Sequence, residues 1–460
     1  MEQKLSREEK LRTAPLGRLL FELAVPAITA QIVNVLYNMV DRMYIGHIEG
    51  VGAAALTGVG VTLPILTLIS AFAALASMGG APRASILLGQ GNKEDAERTL
   101  GGCACMLLLL SLLLTIVFQI FAQPLLMMFG ASDTTLPYAL DYLRIYVCGT
   151  LFVQLALGLN SFITAQGFAR ISMLTVLIGA ALNIALDPLF IFVFKLGVKG
   201  AALATVISQA VSALWVVRFL SGKGSILRLK KENLRIIPKI VLPCLALGLS
   251  PFIMQSTESL IAICFNTSLQ TYGGDLAVGA MTIFTSVMQF SMLPIVGLTQ
   301  GAQPIISYNF GARNPVRVKG AFRLLLISCL VYSVSLWLCI MAFPQVFAGL
   351  FTNNEALIGL CRWAMRVYMG ASFVMGAQLA CQQTFIAIGN AKYSMLLAIL
   401  RKIILLIPLI YILPPFFTDK VMSVFLAEPI ADALAVATTV TLFTIQFRKT
   451  MRTMEETKSA

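Results

Sequence analysis

The chain has 460 residues, of which 58% are hydrophobic and only 12% are charged, whereas soluble domains carry about a quarter charged residues. This composition excludes a soluble globular protein and indicates an integral membrane protein. The net charge of +13 is typical of some nucleic-acid-binding proteins, but here the basic residues are concentrated in the connections between apolar segments. We therefore expect the lipid bilayer as the partner, with no nucleic acid and no obligate protein partner.

Apolar segments of at least about 18 residues recur along the whole chain, and each is long enough as a helix to cross a hydrocarbon layer about 30 Å thick. The alternating pattern of a transmembrane β-barrel is not seen. The first segment keeps polar residues and lacks a small-residue cleavage site, so we interpret it as a retained helix rather than a signal peptide. The sequence predicts an all-α polytopic membrane protein with twelve transmembrane helices, at residues 16–45, 53–80, 99–123, 137–160, 170–194, 199–220, 240–267, 276–304, 321–346, 362–386, 392–413 and 421–446.

The orientation follows from the basic residues. Most of the 34 Lys and Arg residues lie at the N-terminus, in the middle of the chain, at the C-terminus and in the even-numbered connections. With twelve spans, all of these regions fall on one side of the membrane. The positive-inside rule makes that side cytoplasmic, so both termini are expected in the cytoplasm and the protein in the cytoplasmic (inner) membrane.

The chain also contains an internal repeat. "AQGFARISML", from Ala165, aligns with "AIGNAKYSML", from Ala387, and the same offset pairs Tyr146 with Tyr368. Because each copy has six spans, both copies enter the membrane in the same orientation, as two six-helix bundles related by a pseudo-two-fold axis along the membrane normal. Parallel repeats are typical of transporters that alternate access by rocking. The expected domains are an N-terminal lobe (1–220), a solvated basic linker (221–239), a C-terminal lobe (240–447) and a cytoplasmic tail (448–460).

A polar stripe interrupts the first span. Asn34, Tyr37, Asn38 and Asp41 follow the spacing i, i+3, i+4 and i+7, which places them on one face of a helix. A carboxylate at membrane depth costs roughly 3 kcal/mol on insertion scales, and such residues nearly always face a protein interior or a water-filled cavity. We expect the stripe to face inward.

A second group of polar residues lies at matching depth. Asn183 and Asp187 are i, i+4 partners in span five, and Thr205 lies early in span six. Two carboxylates without a nearby cation are costly inside a membrane, so they require a proton or a metal cation. The oxygen ligands of Asp41, Asn183, Asp187 and Thr205 suit Na⁺. For Asn34, Asn38 and Thr205 alone, hydrogen bonding between helices remains an equal alternative.

The second half of the chain differs at these positions. Asn266 aligns with Asp41, and residues 408–410 align near Asp187. Acids occur elsewhere, at Glu258, Glu428 and Asp432, and Arg401 and Lys402 are placed to neutralise one of them. A functional and a structural role for Glu258 are equally open, whereas a structural role is favoured for the other two acids. Candidate residues for a substrate cavity are Glu258, Gln255, Met288, Gln289, Met292 and Gln378, with Phe290, Gln382 and Gln383, although methionine at helical spacing is more often core.

Catalytic motifs are absent from the sequence: there is no H-E-x-x-H, no G-x-S-x-G and no Walker loop. The nine cysteines are scattered and His47 is the single histidine, so we expect no catalytic or transition-metal centre. The protein is not expected to be an enzyme or to hold a cofactor. An ion gradient would supply the energy for transport.

Several long motifs together resemble the multidrug and toxic compound extrusion (MATE) family: "LAVPAITAQIVNVLYNMVDRMYIG" at residue 23, "LNIALDPLFI" followed by "GVKGAALATVISQ", "GAQPIISYNFGA" and "EPIADALA". The resemblance implies two six-helix lobes around a V-shaped cavity and export of amphipathic organic cations in exchange for H⁺ or Na⁺. It implies a cation site at Tyr37, Asp41, Asn183, Asp187 and Thr205. It also implies a first helix that bends near Pro26. Glu258 matches an acid of the C-terminal site found in some branches, but the aspartate expected in span ten is missing.

Two other functions share features with this prediction. A flippase for lipid-linked oligosaccharides has the same architecture but needs a strongly basic cavity for its anionic substrate. A passive cation channel also places carboxylates at membrane depth, and it would conduct ions without exchanging them for a drug.

Overall fold

The structure is a computed structural model that describes residues 6–459, with side chains described through residue 456. Of the terminal basic residues, Lys4 lies outside the described residues, and the Lys458 side chain lies outside the described side chains. The part of the chain that is described is all-helical and contains no strand. This confirms the predicted fold class.

The first half contains a short helix followed by seven longer ones. Asparagine or serine side chains cap several helices at the loops, as in α1, where Ser6 accepts from the Glu9 N–H, and in α4, where Asn92 accepts from the Asp95 N–H. The helices are α1 (Arg7–Thr13), α2 (Leu16–Gly46), α3 (Gly52–Gly89), α4 (Lys93–Met128), α5 (Leu136–Cys148), α6 (Thr150–Ala165), α7 (Ala169–Pro188) and α8 (Val198–Ser221).

The second half repeats this plan with more interruptions. Its first helix contains two predicted spans, which are separated at Gly274 by backbone angles (φ 61°, ψ −161°) that glycine adopts readily. The helices are α9 (Pro238–Gly311), α10 (Pro315–Ala342), α11 (Pro344–Gly349), α12 (Glu355–Tyr368), α13 (Met375–Ala387), α14 (Ala391–Ile399), α15 (Ile407–Ile412) and α16 (Lys420–Ser459).

The predicted twelve spans agree with these helices. Within residues 6–459, nine helices are long and apolar enough to span a membrane, and the pair α5 and α6, bent by 58°, forms a further span. The break at Gly274 divides α9 into two spans, and α12 with α13 forms the counterpart of the bent pair in the second half. Several boundaries were predicted too short, since α3 runs on to Gly89 and α9 to Gly311. The span predicted at 321–346 extends beyond the observed helix, because α10 ends at Ala342, two residues before a proline.

Three hydrophobic cores give the molecule its shape. One core contains residues of both halves together with Leu11 of α1 and Met451 of α16. We call the end of the molecule at this core the terminal end. Each half has its own separate core at the opposite, far end, one within residues 45–202 and the other within 261–431. The two lobes are therefore joined at the terminal end and separate toward the far end.

Close backbone approach joins the lobes around Pro26 of α2. Gly297 and Gly301 of α9 lie directly against Ile28 and Ala24, where a Cβ atom on either glycine would collide with the α2 backbone. The same segment of α2 contains Pro26, which leaves α2 unbroken from Leu16 to Gly46. The helical turn around this proline is thus packed on the opposite lobe.

Helix α1 connects the two lobes at the terminal end. Its Leu11 carbonyl accepts hydrogen bonds from Asn309 Nδ2 at 2.9 Å and from Arg317 Nη2 at 3.2 Å, both in the C-terminal lobe. Arg7 pairs with Glu22 of α2 at 3.0 Å and lies over the Phe168 ring. This short helix therefore ties both lobes together.

The linker between the lobes was predicted to be solvated, but in the structure it packs against the N-terminal lobe. The Gln166 Oε1 atom accepts hydrogen bonds from the Ile226 and Leu227 N–H groups at 2.8 Å each. Lys230 pairs with the buried Glu97 at 2.6 Å. Since Gln166 and Glu97 belong to the N-terminal lobe, the linker is anchored on that lobe. The periodicity of the linker sequence gave no sign of these partners.

Candidate functional site

Asp41 and Asp187 lie together inside the N-terminal lobe, at its far half. Both side chains are buried, and the two carboxyl groups lie close to each other. Asp41 is on α2, and Asp187 is in the last turn of α7. Pro188 removes a backbone donor directly after Asp187, and a π-helical turn follows at Leu189–Val193.

Asn183 and Thr205 complete this group. Asn183 Nδ2 donates to Asp187 Oδ1 at 3.2 Å and to Thr205 Oγ1 at 3.3 Å, and the Thr205 hydroxyl donates to the Ala201 carbonyl at 3.0 Å. The hydrogen bonds link α7 to α8 beside the aspartates. The three helices α2, α7 and α8 therefore position four polar side chains around one point.

Three buried oxygen atoms of the site receive no hydrogen bond. They are Asp41 Oδ1, Asn183 Oδ1 and Asp187 Oδ2. Neither aspartate takes part in an ion pair with Lys or Arg anywhere in residues 6–459. Burial of polar oxygens without a partner costs roughly 1–3 kcal/mol each, and more for a carboxylate. A proton or a hard cation between these oxygens would remove that cost.

The rest of the polar stripe on α2 lies along the open side of the site. Tyr37 and Asn34 are half-buried, whereas Asn38 is exposed and its amide donates to the Asn34 carbonyl at 2.6 Å. The exposed apolar residues of α2, such as Leu36 and Met39, lie on a different face. The stripe thus extends from the buried aspartate to an accessible surface.

Tyr142 of α5 is a site residue that the sequence analysis missed. Its side chain is buried near Thr205 and Asp41. Its ring stacks on Tyr146 with the centroids 6.1 Å apart. The i, i+4 spacing of two tyrosines was a possible signal, but it equally fits ordinary packing in a membrane helix.

Two neighbouring cavities adjoin the stripe. A small one of about 40 Å³ is bordered by Tyr37, Asn183 and Thr205. A larger one of about 190 Å³, which we call the junction cavity, lies between the lobes. Asn34 and Asn160 line both cavities. The aspartate site is therefore connected to the junction cavity through polar side chains.

The acids of the C-terminal lobe are paired with cations. Arg401 Nε lies 2.7 Å from Asp432 Oδ1, and Arg401 Nη2 lies 3.4 Å from Glu428 Oε1. Lys402 Nζ lies 2.7 Å from Glu258 Oε1. Both basic residues are buried within a π-helical turn, Leu400–Leu406. The two cations thus contact all three acids, where the sequence analysis had assigned them to only one.

The structure scatters the residues proposed for a substrate cavity. Gln255, Glu258, Met288, Gln289, Met292 and Gln378 do not line the junction cavity, whereas Gln383 does. Met288 packs against the core of the C-terminal lobe, and the Gln289 side chain is exposed. Gln378 is buried, and both of its amide atoms lack a hydrogen-bond partner. Sequence spacing assigns these residues to helices but does not give the rotation of each helix toward a cavity.

Metal-ligating side chains do not cluster elsewhere. Among residues 6–459 no group of three or more His, Cys, Asp or Glu side chains is arranged to hold a metal ion. The aspartate site, with two carboxylates and neutral oxygen ligands, differs from such centres and fits a monovalent cation or a proton better than a transition metal.

Sequence comparisons place known exporters among the relatives of this chain. It is 27% identical over 415 residues to the multidrug export protein MepA of Staphylococcus haemolyticus (strain JCSC1435), covering 90% of each chain. It is 26% identical over 453 residues to MepA of Staphylococcus aureus (strain N315), covering 96% of this chain and 97% of the relative.

Solved structures share the fold. A crystal structure of a MATE protein in the bent conformation superposes with a TM-score of 0.91 at 23% identity, over 98% of this chain and 100% of that chain. An outward-facing multidrug resistance MATE family transporter of the MOP superfamily gives a TM-score of 0.90 at 23% identity, over 97% and 99% of the two chains.

The family model described as MatE matches the chain twice, at residues 26–189 and 251–412. The two matches fall in the two repeated halves and together cover well over half of the sequence. The chain belongs to the MatE family of membrane transport proteins.

Proposed function

We propose that the protein is a cation-coupled antiporter that exports amphipathic organic cations, including drugs, across the cytoplasmic membrane by alternating access. The multidrug export proteins among its relatives support the export of drugs. The coupling ion, H⁺ or Na⁺, enters from outside and binds at Asp41 and Asp187. No cofactor is needed beyond the transported ion.

One observation carries the proposal: three buried oxygens at Asp41, Asn183 and Asp187 have no hydrogen-bond donor, and among the side chains that the structure describes no Lys or Arg forms an ion pair with the two carboxylates. Two negative charges that lie close together repel strongly in a low dielectric. The pair is therefore expected to bind one positive ion whenever the site is closed to water. An ion that must be gained and released is the requirement for coupling to a gradient.

The architecture supports alternation between two states. The lobes are joined at the terminal end and separate at the far end. Under the positive-inside rule, the terminal end with both termini lies in the cytoplasm. This arrangement then corresponds to an outward-open state. Pro26, packed on the opposite lobe, is a natural point for α2 to bend when the ion binds.

Coupling follows from competition for this equilibrium. An inward-moving ion and an outward-moving drug exchange if each favours a different arrangement of the lobes. Tyr37, Asn34 and Asn160 link the aspartate site to the junction cavity, so ion binding is expected to alter its walls. Thr205 and Asn183 supply neutral oxygens if the ion is Na⁺.

A lipid-linked oligosaccharide flippase is less well supported. That function needs basic side chains along the substrate path, whereas the residues lining the junction cavity include no Lys or Arg. The two membrane-embedded basic residues of the C-terminal lobe are already paired with acids.

Inside-out vesicles test the function directly. Uptake of ethidium, a fluorescent organic cation, is measured while a pH gradient and a sodium gradient are imposed separately, with vesicles lacking the protein as control. We expect one of the gradients to drive uptake and its dissipation to stop uptake. Ion flux through the protein without exchange for ethidium would instead identify a channel, and no ethidium uptake under either gradient would contradict the proposal.

A further inference from the structure

Two cysteines from opposite lobes meet at the terminal end. Cys103 lies on α4 in the N-terminal lobe, and Cys244 lies on α9 in the C-terminal lobe. Both are free thiols, both are 0% exposed, and both belong to the core that the lobes share. Their side chains lie close to each other. The transport mechanism proposed above uses neither of these nucleophilic groups.

Two consecutive glycines of α3 allow this close approach. A Cβ atom on Gly80 would collide with the Cys103 Sγ atom, and a Cβ atom on Gly79 would collide with the Cys244 carbonyl oxygen. Helices α4 and α9 therefore both pack on the same short stretch of α3 backbone. Because packed interiors leave little free space, this arrangement fixes the two thiols relative to each other for as long as the lobes are joined at the terminal end.

The existing contacts of Cys244 are weak. Its Sγ atom donates a hydrogen bond to the Ile240 carbonyl at 3.2 Å, within the same helix. A thiol is a weak hydrogen-bond donor, so little is lost when this contact is replaced by a covalent bond. A disulfide requires two sulfur atoms that meet without backbone movement, and the thiols of Cys103 and Cys244 are already neighbours.

Complete burial makes the reaction of these thiols depend on movement of the lobes. A reagent does not reach a fully buried thiol in the arrangement described here. When the lobes part at the terminal end, the thiols become accessible, and when the lobes rejoin, the thiols meet again. This step rests on the lobe movement proposed for transport, because that movement both admits an oxidant and brings the two sulfur atoms together.

We propose that Cys103 and Cys244 form a reversible disulfide that links the two lobes at the terminal end and stops transport. The oxidant is a small-molecule disulfide. One cysteine attacks the reagent, becomes a mixed disulfide and releases one reagent thiol, and the second cysteine then attacks the mixed disulfide and releases the other. Two protein thiols are oxidised, one reagent disulfide is reduced, and the two protons pass to the released thiols.

The position of the pair determines the effect of the link. Under the positive-inside rule the terminal end lies in the cytoplasm. Thiols are normally kept reduced there, and the disulfides that do form are usually transient and redox-sensing. A covalent bond across the joined end prevents the lobes from parting at that end. The protein is therefore active under reducing conditions and is held outward-open when small-molecule disulfides accumulate.

Mass spectrometry tests whether the disulfide forms. Purified, reduced full-length protein is incubated with 2-hydroxyethyl disulfide, the remaining thiols are blocked with N-ethylmaleimide, and the monomer is digested. We expect a peptide that links Cys103 to Cys244 as the main product, and we expect dithiothreitol to abolish it. Protein oxidised in denaturant is the control. Absence of this peptide, or a yield no higher than in denatured protein, would overturn the proposal.

Ethidium uptake tests whether the disulfide stops transport. In inside-out vesicles, 2-hydroxyethyl disulfide should lower uptake by the wild type at least about tenfold, and dithiothreitol should restore it. Cys103→Ala and Cys244→Ala should each be insensitive to the reagent, and if one of them is unstable the other carries the test. Cys105→Ala, which keeps both partners, is the matched control and should remain sensitive.

The two measurements separate the disulfide from the proposed transport function. Undiminished uptake by protein whose Cys103–Cys244 link is confirmed by mass spectrometry would contradict the effect on transport. Equal inhibition of Cys103→Ala and the wild type would contradict the assignment to this pair. The linked peptide is detected without any transport, so it supports the disulfide even if unoxidised protein takes up no ethidium.

Discussion

The two lobes treat buried acids in opposite ways. In the N-terminal lobe, Asp41 and Asp187 lie close together without an ion pair to any basic side chain that the structure describes, and an oxygen of each lacks a donor. In the C-terminal lobe, Arg401 pairs with Glu428 and Asp432, and Lys402 pairs with Glu258. An acid that already has a fixed cation has no need of a mobile one. The comparison supports the proposed ion exchange in the N-terminal lobe, and we propose a structural role for the acids of the C-terminal lobe.

The backbones of the two lobes also differ near the buried acids. The fifth span and its repeat partner, the eleventh, both contain a π-helical turn, at Leu189–Val193 and Leu400–Leu406. Such turns are frequently found at functional sites in helices. In the first copy the turn follows a free aspartate, and in the second copy it contains the two basic residues. With the offset that pairs Tyr146 with Tyr368, Leu189–Val193 aligns with residues 411–415, so the turn at Leu400–Leu406 occupies a different position of the repeat.

The largest effect on transport is expected from Asp41→Asn, which removes one of the two carboxylates of Asp41 and Asp187. Gradient-driven ethidium uptake into inside-out vesicles should fall to the level of vesicles without the protein, because the site loses one of the two carboxylates proposed to bind the exchangeable ion. The amount of protein in the membrane should not change, since the substitution preserves shape and removes a like-charge contact. Uptake at the wild-type rate would remove Asp41 from the mechanism.

Arg401→Met should damage stability rather than coupling. It leaves Glu428 and Asp432 buried without a cation, and breaking a buried ion pair in this way typically costs about 3–5 kcal/mol. Thermal unfolding of the purified protein should show a large drop in midpoint. The triple variant Arg401→Met, Glu428→Gln, Asp432→Asn serves as the control and should recover most of the loss. A persistent loss in the triple variant would show that the pairing is not what stabilises this lobe.

Replacing the Glu258 and Lys402 pair together should have a moderate effect. The Glu258 side chain is 58% exposed, whereas Lys402 is 7% exposed, so the double variant Glu258→Gln, Lys402→Met removes both charges without stranding either. We expect ethidium uptake within about twofold of the wild type, since an ion pair of this kind often contributes little net energy. Loss of uptake comparable to Asp41→Asn would instead place a second coupling site in the C-terminal lobe.

The smallest effect is expected from Asn309→Ala, which tests whether the lobes separate at the terminal end. It removes one of two hydrogen bonds to the Leu11 carbonyl, worth about 1 kcal/mol. The native Cys244, buried where the lobes meet, should then react about fivefold faster with a thiol reagent in purified protein. Asn314→Ala, which removes only the cap of α10, is the matched control. Equal reaction rates of Cys244 in the two variants would argue against a role for α1 in holding the lobes together.

Much of the fold could be predicted from the sequence because lipid imposes strong constraints. Apolar length gave the spans, and the repeat gave their grouping. The positions of Asp41, Asn183 and Asp187 in their helices predicted the helix face and the membrane depth of each side chain. The helical period determines the face, and the distance from the start of the span determines the depth. The structure brings these residues together as expected.

Other features depend on how one helix is rotated and packed against another. The amide lining of the junction cavity, the approach of Tyr142 to Thr205 and the docking of the linker on Gln166 all involve residues distant in sequence. Periodicity within one segment does not contain that information. Charge complementarity indicated that Arg401 and Lys402 would pair with acids, but not which acid each would contact.

Ion release on drug binding tests the central claim most directly. Purified protein is mixed with ethidium, and released protons are followed with a pH-sensitive dye, or released sodium with a radioactive tracer. The wild type and the double variant Glu258→Gln, Lys402→Met should release the same ion, whereas Asp41→Asn should bind ethidium and release none. Ion release from Asp41→Asn equal to that from the wild type would contradict the proposal that the exchangeable ion binds at Asp41 and Asp187.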